Sequence, residues 1–473
     1  MHRPSSFEFA LNGEHCQLTL DVLNKYNVPG PRYTSYPTAP EWSDDFGPAD
    51  FERAMIEADS STSPRPVSLY FHIPFCERLC LFCGCNVVIN KRKEVAIPYL
   101  EHLRREIERI GRFVSPAREV IQLHWGGGTP TYLSPAQIED LFGCISEHFR
   151  FAPDAEIGVE VDPRVTTEEQ VRLLRRLGFN RISLGVQDFN PLVQKTVRRI
   201  QPYEETKALV DLCREVGFES INIDLIYGLP HQTPESFADS VEKVIAIDPD
   251  RIAMYSYAHV PWLKKQQRSF EKYIPEGVDK FLIFRIGIQL FTEAGYRYIG
   301  MDHFAKPGDE LTIAQQNKTL HRNFQGYSTR ANADLYAMGV SSISGFHHAY
   351  AQNYRDVPSY YEALDQDRLP TMRGWWLTAD DIIRRAVIMR MLCHRVIHKP
   401  EIEAEFNICF DEYFAEERSN LEELQADGLI TMDEECIRAT PLGCIFLRNI
   451  GMAFDKYLRR RRGQDQPIFS KTL

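Results

Sequence analysis

Residues 67–85 read VSLYFHIPFCERLCLFCGC: a strand-like run, then four cysteines within the ten residues Cys76 to Cys85. The run VSLYFHI (67–73) is short and rich in β-branched and aromatic residues, as expected of a parallel strand buried on both faces. It opens a series. VIQLHW (120–125), EIGVEV (156–161), RISLGV (181–186), SINIDLIY (220–227) and RIAMYSYAH (251–259) share its character. Between them lie helical segments with charged outer faces, such as YLEHLRREIERI, TEEQVRLLRRL, YEETKALVDLCREV and TPESFADSVEKVIA. SPAQIEDLFGCISEHF starts with Ser134 and Pro135, an N-cap followed by proline at the first helical position. Six βα units in succession predict an α/β fold with a parallel sheet, closed or partly closed like a TIM barrel; a doubly wound open sheet is the alternative.

The flanks differ. The stretch NVPGPRYTSYPTAPEW (27–42) predicts an extended, ordered arm, and residues 1–50 are assigned to it. Beyond Gly300 the βα rhythm fades, and from Leu377 the chain becomes helical before GLITMDEECIRATPLG (428–443), which resembles a small hairpin. Helices followed by a hairpin suggest a winged-helix-like module. From Asp380 to Lys456 it carries 16 acidic and 9 basic side chains, which favours a structural or lid role over DNA binding. The arginine run 459–462 reads as a solvated tail. The expected division is an arm (1–50), a barrel domain (51–370) and a mainly helical C-terminal domain (371–473).

At 473 residues the chain suits about three such parts. Its 43% hydrophobic and 26% charged residues fit a folded chain with a sizeable core. Lys and Arg number 55 against 66 Asp and Glu, a net charge of −11 that argues against a chain-wide nucleic-acid or anionic-membrane surface. No run of about 18 apolar residues predicts a membrane span. The N-terminus lacks the apolar core of a secretory signal. Eleven cysteines are too few for a disulfide scaffold, so a reducing cytoplasm and metal or redox chemistry are expected.

Cys76, Cys80 and Cys83 form C-x3-C-x2-C, and Cys85 follows. Structural zinc wants four ligands, usually in two separated pairs, and no second pair appears downstream. Three close thiolates on one loop suit a [4Fe–4S] cluster in which one iron lacks a protein ligand. The spacing resembles the radical S-adenosylmethionine signature, with the aromatic Phe82 before the third cysteine. That resemblance implies that S-adenosylmethionine chelates the open iron and is cleaved by one electron to a 5′-deoxyadenosyl radical. Other strand ends carry plausible contacts. Gly126, Gly127 and Gly128, then Thr129, permit close backbone approach to a ligand. Glu160 and Asp162 end the third strand, Gln187 the fourth, and Asp224 lies within the fifth; salt-bridge roles are the alternative for the carboxylates. Buried polar groups in apolar strands need partners.

The motifs SLYFHIPFCERLCLFCGCN, LHWGGGTPTYL, EVDPR, GVQDF, NIDLIYGLP, IGMDHFA, HRNFQGY and the arm motif GPRYTSYPTA (30–39) closely resemble the bacterial oxygen-independent coproporphyrinogen III oxidases. The resemblance runs from about Tyr26 to Leu458. It implies a partial (β/α)6 barrel with an N-terminal arm and a C-terminal helical domain over the mouth. It implies that Cys76, Cys80 and Cys83 hold the cluster while Cys85 serves activity without ligating it. Tyr70, Gly127, Glu160 and Ile343 match contacts to one S-adenosylmethionine. Phe82, Gly128, Thr129, Gln187, Arg199, Asp224 and Ala258 match those to a second, so two per turnover are expected. The implied reaction turns two propionates of coproporphyrinogen III into the vinyl groups of protoporphyrinogen IX. A related haem chaperone family is the alternative; it typically lacks the fourth cysteine and the arm. Arg32 is the candidate for holding substrate carboxylates, with Tyr33 as its neighbour. A one-electron donor such as a flavodoxin-type protein is expected as partner, with no nucleic acid, no membrane and a monomeric state.

Overall fold

In the computed structural model, residues 5–460 and 468–472 are described. The parallel strands are numbered β1 (Val67–Ile73), β2 (Val120–Gly127), β3 (Phe151–Val161), β4 (Arg181–Gln187), β5 (Ser220–Tyr227), β6 (Arg251–Ser256) and β7 (Asp334–Met338). The first five crossover helices are α1 (Ala96–Gly111), α2 (Pro135–His148), α3 (Glu168–Arg176), α4 (Tyr203–Glu215) and α5 (Pro234–Ile247); α6 (Val278–Glu293) follows β6. The sheet order is β6-β5-β4-β3-β2-β1-β7. Antiparallel strands extend both ends: Arg297–Gly300 and His303–Ala305 beyond β6, and Ile343–Gly345, Ala349–Asn353 and Thr371–Trp376 beyond β7. Among the described residues the sheet is thus a partial barrel rather than a closed one.

Six of the parallel strands fall where the short β-branched and aromatic runs predict them, although β6 stops at Ser256 rather than at His259. The seventh, β7, pairs in parallel with β1 on the side away from β2. It follows a long excursion of short elements, which hides it from a reading that looks for a helix before each strand.

The helices form for local reasons. Ser134 accepts a hydrogen bond from the Gln137 N–H, and the Gln137 side-chain oxygen accepts one from the Ser134 N–H. Thr167 with Gln170 and Thr233 with Ser236 repeat the arrangement, satisfying N–H groups that the helix cannot. In α1 the buried Tyr99, Leu103, Ile107 and Ile110 recur at helical spacing and form the stripe that packs on the sheet.

Each strand has two unlike faces. In β4, Ile182, Leu184 and Val186 are buried, while Arg181, Ser183, Gly185 and Gln187 alternate with them. In β5, Ile221, Ile223 and Leu225 alternate with Asn222, Asp224 and Ile226. Register places Ser183 beside Asn222 and Gly185 beside Asp224, so these polar positions share one side of the sheet. The interior of this barrel is therefore polar, unlike the branched-aliphatic filling common in closed barrels.

The flanks depart from expectation in three places. Residues 27–42 are mostly extended, but Ser6–Leu11 and Glu14–Thr19 form an antiparallel hairpin ahead of them, followed by the helix Leu20–Tyr26. The hairpin signal was in the sequence: Phe7, Phe9 and Leu11 alternate, and Asn12-Gly13 both adopt left-handed backbone, as a two-residue type I′ turn requires. The C-terminal region has α7 (Ala379–His394), further helices, and the expected hairpin Ile430–Met432 with Cys436–Ala439, joined by Val396–His398 into a three-stranded sheet. The arginine run is not a freely solvated tail at its start. Arg459 pairs with the buried Glu417 and with Glu416; Arg461 and Arg462 lie outside the described residues.

One buried ion pair ties β7 to the turn before β2. Arg118 donates to Asp334 at 2.6 Å and to the Tyr336 hydroxyl at 2.8 Å, and both charged side chains are only 3% exposed. Removing one partner of such a pair strands the other in low dielectric. Arg118→Met is expected to lower stability by roughly 3–5 kcal/mol, read by chemical denaturation.

Candidate active site

The cysteine loop leaves the C-terminal end of β1, where the backbone groups of the loop find partners on several neighbours. Phe75–Cys76 pairs with Val88–Ile89, and Asn90 N–H bonds to the Cys76 carbonyl at 3.0 Å. Leu81 N–H reaches the Val197 carbonyl at 2.9 Å. After β6, Gln267 donates to the Phe82 carbonyl, Gln266 to that of Cys83 and Lys264 to that of Cys85. The loop is thus held by the chain around it.

Cys76, Cys80, Cys83 and Cys85 line one cavity of about 280 Å³, with free thiols throughout. Phe82, Gly127, Gly128, Thr129, Glu160, Gln187, Arg199 and Asp224 line the same cavity. Tyr70, Ala258, Ile343 and Arg32 lie outside that lining. Tyr70 is one layer away: its hydroxyl is 3.1 Å from His72 Nδ1 and its ring stacks on His124. Ala258 contributes a carbonyl that accepts from Gln267, and Ile343 begins the strand outside β7.

Two glycines are required here. Gly127 has a positive φ of +112°, and a Cβ there would meet the His72 ring at 2.6 Å. A Cβ on Gly128 would lie 2.6 Å from the Pro74 carbonyl group. The tight seam joins the end of β2 to the cysteine loop through Gly128 N–H to Ile73 O and Thr129 N–H to Phe75 O. Gln187, which is not glycine, also has a positive φ of +71°, a conformation that costs energy unless its surroundings impose it.

The carboxylates separate into different roles. Asp162 takes the salt-bridge reading: it binds Arg164 at 2.6 Å and Arg199 at 3.2 Å. Both guanidinium groups also reach Cys80 Sγ, each at 3.4 Å. Arg164 was not singled out from the sequence, although it ends the quoted EVDPR; a cation two residues after a strand-end carboxylate was the available signal. Glu160 accepts from His124 at 3.2 Å and from the Gly127 N–H at 3.3 Å. Burial would raise its pKa, but these bonds and the His124 ring hold it below the ordinary carboxylate range. Asp224 is pushed the other way, up to about 7, by burial and then by the charge of Glu160, despite bonds from Asn222 and Ser183. One carboxyl is thus set to accept and the other to carry a proton near neutrality.

Among the thiols, Cys83 is pushed down to about 6, first by a hydrogen bond from Cys85 and then, against burial, by Lys264 and Arg199. Burial pushes Cys76 up to about 11, with Thr129 opposing. Among the described residues, no three His, Cys, Asp or Glu side chains converge closely enough to hold a single metal ion. Thiols lining one cavity, with cationic donors aimed at Cys80, fit an iron–sulfur cluster, which takes one thiolate per iron.

A second cavity of about 140 Å³ continues into the barrel and shares Glu160, Ser183 and Asp224 with the first. Tyr255, His303, Gln325 and Tyr327 complete part of its wall. Beside it, Arg32 pairs with Asp302 at 2.5 Å and lies over the Tyr255 ring. Burial, then Arg32 and Arg448, push Lys280 down to about 7, so three cations gather round Asp302.

Comparison with known proteins accords with this geometry. Residues 70–244 match the radical SAM superfamily, and residues 377–446 match the HemN C-terminal domain. The barrel and its cysteine loop are therefore those of a radical S-adenosylmethionine enzyme. Oxygen-independent coproporphyrinogen III oxidase of Escherichia coli is 47% identical over 96% of this chain and 98% of its own length. The protein of that name from Synechocystis sp. is 44% identical over 97% and 98%. A solved structure, described as coproporphyrinogen III oxidase (HemN) from Escherichia coli, a radical SAM enzyme, superposes with a TM-score of 0.87 over 90% of this chain and 97% of its own. The chain belongs to the family of oxygen-independent coproporphyrinogen III oxidases.

Because Asp224 binds its proton more tightly folded than unfolded, its contribution to stability is complete below the ordinary carboxylate range. It is lost as pH rises through about 7. In Glu160→Gln the neighbouring charge is gone. The Asp224 pKa is then expected to fall below about 7, followed by carboxyl carbon NMR; an unmoved titration would exclude the coupling.

Proposed function

We propose that this chain oxidatively decarboxylates two propionate side chains of coproporphyrinogen III to vinyl groups, giving protoporphyrinogen IX without oxygen. The observation that carries the reading is that the C-x3-C-x2-C cysteines line one cavity at the barrel mouth together with Glu160 and Asp224. The close relatives supply the substrate by their names.

Cys76, Cys80 and Cys83 hold a [4Fe–4S] cluster, and Cys85 serves the reaction without ligating it. When bound, the cluster and S-adenosylmethionine supply a hydrogen-abstracting radical. The chain's own groups do the rest. Tyr70, Gly127, Glu160 and Ile343 position one S-adenosylmethionine. Phe82, Gly128, Thr129, Gln187, Arg199, Asp224 and Ala258 position a second, and two propionates account for a demand of two per turnover. Each decarboxylation removes one β-hydrogen and one carbon dioxide and leaves one electron for an acceptor. Glu160 accepts hydrogen bonds from hydroxyl groups of a bound ligand, while protonated Asp224 donates one. The glycine seam lets backbone approach the cofactor where a side chain would stand in the way.

Four substrate carboxylates enter an acidic protein of net charge −11, so cations must be concentrated locally. Arg32, with Lys280 and Arg448 behind it, is where this happens; an arriving propionate exchanges with Asp302 for the Arg32 guanidinium. A flavodoxin-type protein supplies the electron, and the enzyme works as a cytoplasmic monomer without nucleic acid. Among the described residues, no helix is long and apolar enough to cross a membrane.

The decisive assay is anaerobic: coproporphyrinogen III, S-adenosylmethionine and a reductant, with porphyrins and 5′-deoxyadenosine measured together. Vinyl product is expected. Stoichiometric haem binding with no decarboxylation would support the chaperone alternative instead. Cys76→Ser, Cys80→Ser and Cys83→Ser should each lose the iron chromophore, whereas Cys85→Ser should keep iron and lose product. Arg32→Ala is expected to raise KM about tenfold, the scale of one charged hydrogen bond, with iron content unchanged. An unaltered KM would remove Arg32 from the substrate site.

A further inference from the structure

A third cavity, of about 470 Å³, lies at the opposite end of the barrel from the cysteines. Arg65 stands two residues before β1 begins, and Ala331 to Ala333 lead into β7, so the cavity sits at the N-terminal ends of the parallel strands. Helix α7 closes one side through Ile382, Arg385, Ala386 and Met389.

Its lining is strongly cationic: Arg65, Lys318, Arg322, Arg330, Arg385 and Arg390 face a single acidic side chain, Glu405. Glu405 is taken by Arg390, and Arg330 is compensated outside by Asp154 at 3.0 Å. The carboxylate nearest Arg65, Asp334, is committed to Arg118. Among the described residues this leaves Arg65, Lys318, Arg322 and Arg385 without an ion-pair partner. They are arranged round neutral acceptors instead. Arg65 bonds His347 Nδ1 at 3.0 Å, and Arg385 bonds the His347 carbonyl at 2.7 Å and the Tyr350 hydroxyl at 3.3 Å. Arg322, 5% exposed, has a buried Nη1 with no hydrogen-bond partner.

Uncompensated cations in a half-buried pocket repel one another in reduced dielectric, a cost that an arriving anion removes. The neighbouring rings register the field: burial and then Arg385 and Arg65 push His321 down to about 4, and burial with the same two arginines holds His347 at about 4. The walls also carry Phe324, Phe346, Tyr350, Met389 and Phe406, which offer flat and flexible apolar surface beside the charges. Guanidinium groups with aromatic faces suit planar anions that carry carboxylates or phosphates.

We propose that this cavity is a second binding site, for an organic anion that joins carboxylate or phosphate groups to a flat apolar body. It is separate from the cysteine cavity and shares no lining residue with it.

Equilibrium dialysis of the full-length protein, prepared without oxygen, tests this with two probes: ADP for a phosphate-bearing source and coproporphyrin III for a carboxylate-bearing one. At least one should bind, and which one does identifies the source. Arg65→Gln and Arg385→Gln should each weaken that binding tenfold or more, while Cys76→Ser leaves it unchanged. Should Arg385→Gln fail to fold, because it braces the Phe346–His347 backbone, Arg65→Gln at the edge of the cavity still decides. Binding of neither probe overturns the proposal. So does binding insensitive to the arginine substitutions, or lost in Cys76→Ser.

Discussion

The two-faced strand is the constraint on which the rest depends. Ile182, Leu184, Ile221, Ile223 and Leu225 must hold the helices, and the residues alternating with them are then committed to the barrel interior. There Ser183, Asn222 and Asp224 bond to one another, His124 bonds Glu160, and Gln122 bridges Glu156 and Ser328. Buried polar groups are tolerated only when they are partnered, and a network of this kind is costly to disturb piecemeal. It leaves polar space where an ordinary barrel would have aliphatic filling. That space also sets two carboxyl groups apart in acidity, because burial acts on both, while Glu160 accepts hydrogen bonds from His124 and a backbone N–H and its charge in turn raises Asp224.

The mouth is built by the same economy of few residues with several partners. Asp162 orients Arg164 and Arg199, and both arginines reach Cys80. Hydrogen bonds to cluster sulfurs are one of the levers that tune such centres. The partial sheet contributes as well. The strand His321–Asn323 and its partner Gly326–Ser328 cover the interior from inside, with Tyr327 against His303 and Ser328 on Gln122.

The barrel could be read from residues because its evidence is local: short β-branched and aromatic runs, a capped helix start and cysteines at fixed spacing. What escaped depended on contacts far apart in the chain. Strand β7 declares itself only by pairing with β1, more than 260 residues earlier, by the register of Asp334 with Val67. The N-terminal hairpin, by contrast, has a local signal, Asn12-Gly13 between alternating apolar residues. At the site, the cysteines, the glycines, Glu160, Gln187, Arg199 and Asp224 meet around one cavity. Arg164, His72 and His124 did not stand out, because their chemistry arises from neighbours and not from spacing. Arg32 could be picked out as a cation, but its tie to Asp302 could not, since 270 residues separate them.

The loop that carries the cysteines is anchored by Val197, Gln266 and Gln267 through its own backbone, independently of its sulfur atoms. The consequence is an order of events. Backbone bonds meet the entropic cost of shaping the loop, so a cluster would enter a loop already in shape. A zinc finger must capture its metal in order to fold; a loop held by its own backbone bonds does not depend on its sulfur ligands for its shape.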